Sequence, residues 1–301
     1  MTRRRASAAA RREEIDRLLA EYETPRPTLT LEAQTQSGDL HEREVALLLR
    51  PENQIVKFWP RPELNALFEW CQTGEFVDIS LVTGGGGSGK TRLALQLCEV
   101  LRDKGWLPLW VRSGAEYKAV STAIRSGRPC VLVVDYAETR DSLAQLIQDV
   151  VTVPSGPTVR IVLLARAIGK WWQDLITTPG LGIRDFLNRA YLITLKPLAS
   201  SELTRTIFDN ALTAFADCFQ VPTPRTKLTL AEPHAVFLVV HAAALLAVLD
   251  EAAGSISREP RSAPDVLEGI LQHEAGYWTG SARKRGLHLD HSVFRLTCIR
   301  R

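Results

Sequence analysis

From Val45 onward, short apolar runs of four to seven residues alternate with longer stretches whose apolar positions recur every three or four residues. The short runs predict strands at Val77–Thr83, Leu107–Val111, Cys130–Asp135, Arg160–Ala165 and Tyr191–Leu195. The amphipathic stretches predict helices at Thr91–Lys104, Tyr117–Ser126, Ser142–Val153 and Gly169–Asn188, the last interrupted near Pro179. Strands that are apolar on successive residues are covered on both faces, and regular alternation with helices marks β/α units around a parallel sheet. The expected fold class is α/β, a doubly wound parallel sheet. After Pro197 the strand signal ends. Helices are expected at Ser201–Phe219 and His234–Ala253, with a Pro- and Thr-rich linker between them. A polar break from Ser257 to Pro264 precedes a last helix ending near Gly280.

These changes of texture divide the chain into a basic arm and linker (1–44), an α/β domain (45–196), a small helical domain (197–256) and a C-terminal segment (257–301). The arm carries Arg3, Arg4, Arg5, Arg11 and Arg12 before its first acid, Glu13, and lacks the apolar stretch of a secretory signal. One helix through Ile15, Leu18 and Leu19 is expected there, followed by polar sequence that buries little apolar area.

The chemistry is most legible between the first strand and the helix after it. Gly84, Gly85, Gly86, Gly87, Ser88, Gly89, Lys90 and Thr91 fit the pattern G-x-x-x-x-G-K-[ST] in its proper strand–loop–helix setting. Glycines let the backbone wrap with its N–H groups facing a polyphosphate, and a helix N-terminus adds partial positive charge there. Lys90 would reach the β- and γ-phosphates, and the Thr91 hydroxyl would ligate Mg²⁺.

A nucleotide triphosphatase also needs a carboxylate at the end of a neighbouring strand. Asp135, after the apolar Val131–Val134, supplies it and makes Thr91 and Asp135 the expected metal pair. Glu138 would orient or deprotonate the attacking water. Arg166, at the end of the following strand, would contact the γ-phosphate, so that Lys90, Asp135, Glu138 and Arg166 form the expected catalytic set. Competing readings remain at this level: a helix N-cap for Asp135, a first-turn surface acid for Glu138 and an ion pair for Arg166.

One β/α unit separates the phosphate loop from Asp135, a spacing that resembles the additional-strand class of P-loop ATPases. No N-K-x-D guanine signature is present, so adenine is the expected base. Read together, these residues resemble a STAND ATPase, a signalling relative of AAA+ proteins. The similarity includes Phe58-Trp59-Pro60-Arg61-Pro62-Glu63-Leu64, like the F-x-G-R-x-x-E-L element, and Leu195-Lys196-Pro197-Leu198 with Glu202, like the L-x-P-L-x-x-x-E entry to a helical lid. Position 60 is Pro where that element has Gly. The resemblance implies that Trp59, Arg92 and Pro197 join Gly84–Thr91 in holding ATP or ADP with Mg²⁺. It also implies a helical lid over 197–256 and an incomplete winged-helix-like segment at 257–301. The implied activity is a nucleotide-gated switch with slow ATP hydrolysis, and the implied partner is another protein or a second copy. The texture is closest to actinobacterial ATP-binding regulators, in line with 29 arginines against 8 lysines.

Composition narrows the setting. Of 301 residues 45% are apolar and 24% charged, which suits a folded chain. A net charge of +3 does not by itself call for a polyanion, so nucleic acid is a possible but disfavoured partner. Five cysteines without a C-x-x-C pair argue against a disulfide framework and point to a reducing, cytoplasmic setting. The longest apolar run, Ala235–Leu249, would reach only about 22 Å as a helix, short of a membrane span of about 30 Å. Trp171 and Trp172 read as helix packing. His288 and His291 lack further ligands for zinc, and Ser281–Lys284 has no partner motif for an acyl enzyme.

Overall fold

The computed structural model describes residues 45–153, 156–178, 182–198, 200–226, 236–254 and 262–272. The basic arm, most of the winged-helix-like segment and the linker at 227–235 lie outside the described residues. Contacts divide the described residues into two units, those of 60–196 in one and those of 45–59 and 197–272 in the other.

The first unit is built on five parallel strands: β1 (Val77–Thr83), β2 (Leu107–Trp110), β3 (Cys130–Val134), β4 (Val159–Ala165) and β5 (Tyr191–Thr194). Their order across the sheet is β2-β3-β4-β1-β5. Each strand falls within two residues of its expected run. As the additional-strand class implies, Asp135's strand is not directly beside the phosphate-loop strand. β4 is inserted between them, paired with β1 from Val77↔Val159 to Thr83↔Ala165 and with β3 from Cys130↔Val159 to Val134↔Leu163. This is the additional strand itself.

β3 and β4 are buried at every residue. Alternating side chains point to opposite faces. Ile79, Leu81, Leu132, Ile161 and Leu163 share one core with α3 (Glu116–Arg125), α4 (Leu143–Val151), α5 (Lys170–Thr177) and α6 (Arg184–Asn188). The remaining helices are α1 (Pro62–Gln72) and α2 (Lys90–Asp103), which pack together through buried residues that include Leu67, Leu93, Leu97 and Leu101. α1 has no counterpart among the expected helices, although Leu67, Trp70 and Cys71 mark a buried face at helical spacing and Pro62 sits in its first turn. The expected Gly169–Asn188 helix is two helices, α5 and α6. At the sheet's opposite end, Arg160 is buried, donating to Thr73 O and Glu75 O beneath the Trp70 ring.

In the second unit, α7 (Ser201–Phe219) begins at Ser200, whose Oγ accepts from Leu203 N at 3.1 Å. α7, α8 (Phe237–Ala252) and a further helical stretch at 263–272 share a core of Phe208, Leu212, Phe215, Leu245, Leu249 and Ile270. Val45 and Leu48 join this core, so 45–59 packs here rather than with the sheet to which the sequence boundary at 45 assigns it. Among the described residues no helix is long and apolar enough to cross a membrane.

Candidate nucleotide site

The loop between β1 and α2 turns through Gly87 (φ 74°) and Gly89 (φ 89°), where a Cβ is disfavoured. Gly84 is constrained by proximity. A Cβ there would lie 2.7 Å from Ser88 Oγ and 3.2 Å from the carbonyl oxygen of Leu195. Gly85 and Gly86 have open space where a Cβ would stand. The loop therefore closes on three required glycines and leaves two backbone positions free for a close approach.

Lys90, the first residue of α2, donates from Nζ to the carbonyls of Gly84 and Gly85. Burial lowers its pKa, and the nearby Arg166 cation pushes the same way, while Asp135 and Glu138 oppose the shift. Thr91 Oγ1 donates to Asp135 Oδ2 at 3.0 Å, and Asp135 Oδ1 accepts from Tyr136 N at 2.9 Å. Burial raises the Asp135 pKa against the pull of these hydrogen bonds and of Lys90. Tyr136 holds the left-handed conformation (φ 55°), which turns the chain sharply after the carboxylate.

β4 ties the two halves of the site together. Gly84 N donates to Arg166 O at 3.3 Å, and Arg166 N donates to Glu138 Oε1 at 3.1 Å. A hydrogen-bonded chain therefore runs from Glu138 through the Arg166 peptide and Gly84 to Lys90. The second oxygen of Glu138 and the hydroxyl of Ser88 are buried without a hydrogen-bond partner. Buried polar atoms of this kind are costly unless something completes them.

Lys90, Thr91, Asp135, Glu138 and Arg166 thus converge at the carboxyl ends of β1, β3 and β4, where open α/β sheets bind ligands. Arg92 lies one residue further along α2, with Nη1 directed to Gln96 Oε1 at 3.3 Å. Trp59 and Pro197 belong to the second unit, where Trp59 packs against its core. Sequence reasoning gave Arg61 no separate role, yet its Nη1 donates to the Ser88 carbonyl in the loop at 2.9 Å. Arg140 was missed outright; nothing in local periodicity marks it. Of the tryptophan pair, Trp172 is buried and Trp171 packs edge-on against it, as expected. Burial pushes the Cys71 and Cys98 thiols up to about 12, which leaves them unreactive.

The observed site and sheet order match those of a P-loop NTPase, and residues 53–175 match the family described as novel STAND NTPase 5. This stretch resembles a STAND NTPase domain. Among solved structures the chain is similar to the Orc1 protein of Aeropyrum pernix in complex with DNA, at 13% identity over 76% of this chain and 68% of that chain (TM-score 0.45). It is similar to the ORC2 protein of the same organism in its ADPNP–ADP complexes, at 15% identity over 78% and 72% (TM-score 0.44). It is also similar to domain III of the Thermotoga maritima replication initiation protein DnaA, at 13% identity over 75% and 97% (TM-score 0.45). No curated protein matches the chain.

The donors of this site fit a magnesium nucleotide. A hydroxyl and a carboxylate stand 3.0 Å apart beside a lysine, Ser88 Oγ lacks a partner, and the loop is open at Gly85 and Gly86. Hard cations with tightly held water favour this oxygen set. Among the described residues no group of three or more His, Cys, Asp or Glu could hold another metal.

Proposed function

We propose that the protein is a cytoplasmic adenine-nucleotide switch with slow, Mg²⁺-dependent ATP hydrolysis. The observation that carries the reading is the connected cluster Lys90–Gly84–Arg166–Glu138, with Thr91–Asp135 beside it. Thr91 and Asp135 would hold Mg²⁺, Asp135 through water. When bound, the ion would neutralise charge on the phosphates. Lys90 exchanges loop carbonyls for phosphate oxygens. The backbone N–H groups of the loop bind the remaining charge, and Arg92 lends a cation at the helix start.

Glu138 would accept a proton from the attacking water at Oε2, the oxygen without a partner, while Oε1 stays on the Arg166 N–H and orients the carboxylate. Arg166 distinguishes triphosphate from diphosphate. The helical unit responds to that difference and controls a surface for a protein partner or a second copy. A ligand shifts such an equilibrium only through differential affinity for the two states.

The test is mass analysis of the nucleotide released from freshly purified, denatured protein, followed by turnover with and without DNA. Bound ADP, slow turnover indifferent to DNA, and loss of nucleotide in Lys90→Ala with the fold retained are expected. Rapid turnover that rises with DNA would replace the switch with a DNA-acting ATPase. Absence of any bound nucleotide, with no thermal shift on adding Mg-ADP, would leave a nucleotide-free scaffold.

A further inference from the structure

Arg140 lies five residues beyond Asp135 and touches none of the loop residues, yet its guanidinium reaches three groups at the carboxyl ends of β2 and β3. Nε donates to Asp135 O at 3.2 Å, Nη2 donates to Val111 O at 3.0 Å, and Nη1 stands 3.5 Å from Glu116 Oε1. The arginine and glutamate side chains are 13% and 10% exposed, so the pair is shielded from water. Glu116 opens α3, where an acid also suits the helix N-terminus. We infer that Arg140 is a positioning residue for the metal site, fixing the peptide of Asp135 so that its carboxylate meets Thr91.

The argument is geometric. Asp135 is held at Oδ2 by Thr91, at Oδ1 by Tyr136 N and at its carbonyl by Arg140. The first two contacts orient the carboxylate relative to its own backbone and to α2. Of these three contacts, only Arg140's ties the Asp135 carbonyl to the end of β2; the strand before it is held there by Val111 N donating to Val133 O at 2.8 Å. Pairing of β3 ends at Val134 and Tyr136 takes a left-handed turn, so the Asp135 peptide lies between the last ladder pair and that turn, where Arg140 is the side chain that holds its carbonyl. A planar fork can serve two carbonyls and a carboxylate together, which a lysine cannot. Partners that orient a metal ligand change metal affinity by about 10- to 100-fold when removed.

This inference rests on the magnesium nucleotide reading, and the experiment separates the two. Fluorescent mant-ADP is titrated into the full chain in EDTA and across a Mg²⁺ series, using wild type, Arg140→Lys and the double variant Glu116→Gln/Arg140→Met. The double variant removes the fork without stranding a buried carboxylate. Circular dichroism melting accompanies each titration. Both variants are expected to keep wild-type affinity in EDTA and to need about 10- to 100-fold more Mg²⁺ for the magnesium-dependent gain. An unchanged Mg²⁺ midpoint would overturn the positioning role. So would an equal loss of affinity with and without Mg²⁺, or failure of both variants to fold, since either marks a purely structural arginine. If wild type itself binds no mant-ADP, the nucleotide reading falls and takes this inference with it.

Discussion

Alanine substitution along the phosphate loop separates glycines that the chain needs for its own folding from those it does not. At Gly84 a Cβ would meet Ser88 Oγ at 2.7 Å, Leu195 Cβ at 3.1 Å and Leu195 O at 3.2 Å. Ser88 is buried, and Leu195 N is bonded to Thr83 O at 2.7 Å, so neither neighbour retreats cheaply. Overpacking of this kind costs about 1–3 kcal/mol. Gly87→Ala and Gly89→Ala meet a different obstacle, left-handed backbone, at about 1–2 kcal/mol each. Gly85 and Gly86 have neither positive φ nor a neighbour within 4 Å. Alanine there restricts the unfolded chain and should stabilise by about 0.4–1 kcal/mol. Urea denaturation of the nucleotide-free protein reads all five variants on one scale. The expected midpoints place Gly85→Ala and Gly86→Ala at or above wild type and the other three below it. A Gly84→Ala protein as stable as wild type, or a Gly86→Ala protein as weak as Gly84→Ala, would refute this account of the loop.

Two further outcomes follow from the charges. Glu138→Gln should bind Mg-ATP as wild type does while slowing hydrolysis by about 10²–10⁴-fold, the usual contribution of a general base; equal single-turnover rates would remove Glu138 from the chemistry. Asp135 has its pKa raised above the ordinary 3.8 by burial, so the folded state binds its proton more tightly than the unfolded chain. Its contribution to stability is then lost as pH rises from 3.8 through the folded value. Asp135→Asn should therefore melt at a higher temperature than wild type at neutral pH, with the difference vanishing below 3.8, and should lose Mg²⁺-dependent nucleotide binding. A lower melting temperature at neutral pH would contradict the burial argument.

Strands were legible because burial on both faces writes a continuous apolar run, as in Val131–Val134 and Ile161–Ala165. The loop was legible because its motif is local. What stayed hidden were relations between distant segments. The spacing of Asp135 suggested an additional strand, but parallel pairing leaves no periodic trace that says β4 is the one between it and β1. Arg140 looked like any polar residue after a strand, because its significance lies in the carbonyls of Val111 and Asp135. Helix α1 was obscured by reading Phe58–Leu64 as a motif alone, although Leu67, Trp70 and Cys71 carried its buried face. Glu138 was expected to orient or deprotonate the attacking water, and spacing could not show that its Oε1 accepts from the Arg166 N–H.

The inserted strand also acts as a ruler. Neighbouring strands lie about 4.8 Å apart, so the tips of β1 and β3 stand roughly 10 Å from one another in a flat approximation. Had the two been adjacent, the lysine and the carboxylate would crowd into half that width and pair directly. With a whole strand between them, the acid is met by the Thr91 hydroxyl at 3.0 Å while Lys90 turns back to the loop carbonyls. That separation is set by backbone pairing rather than by any rotamer, so substitutions among these side chains can retune the chemistry without moving the strands that carry it.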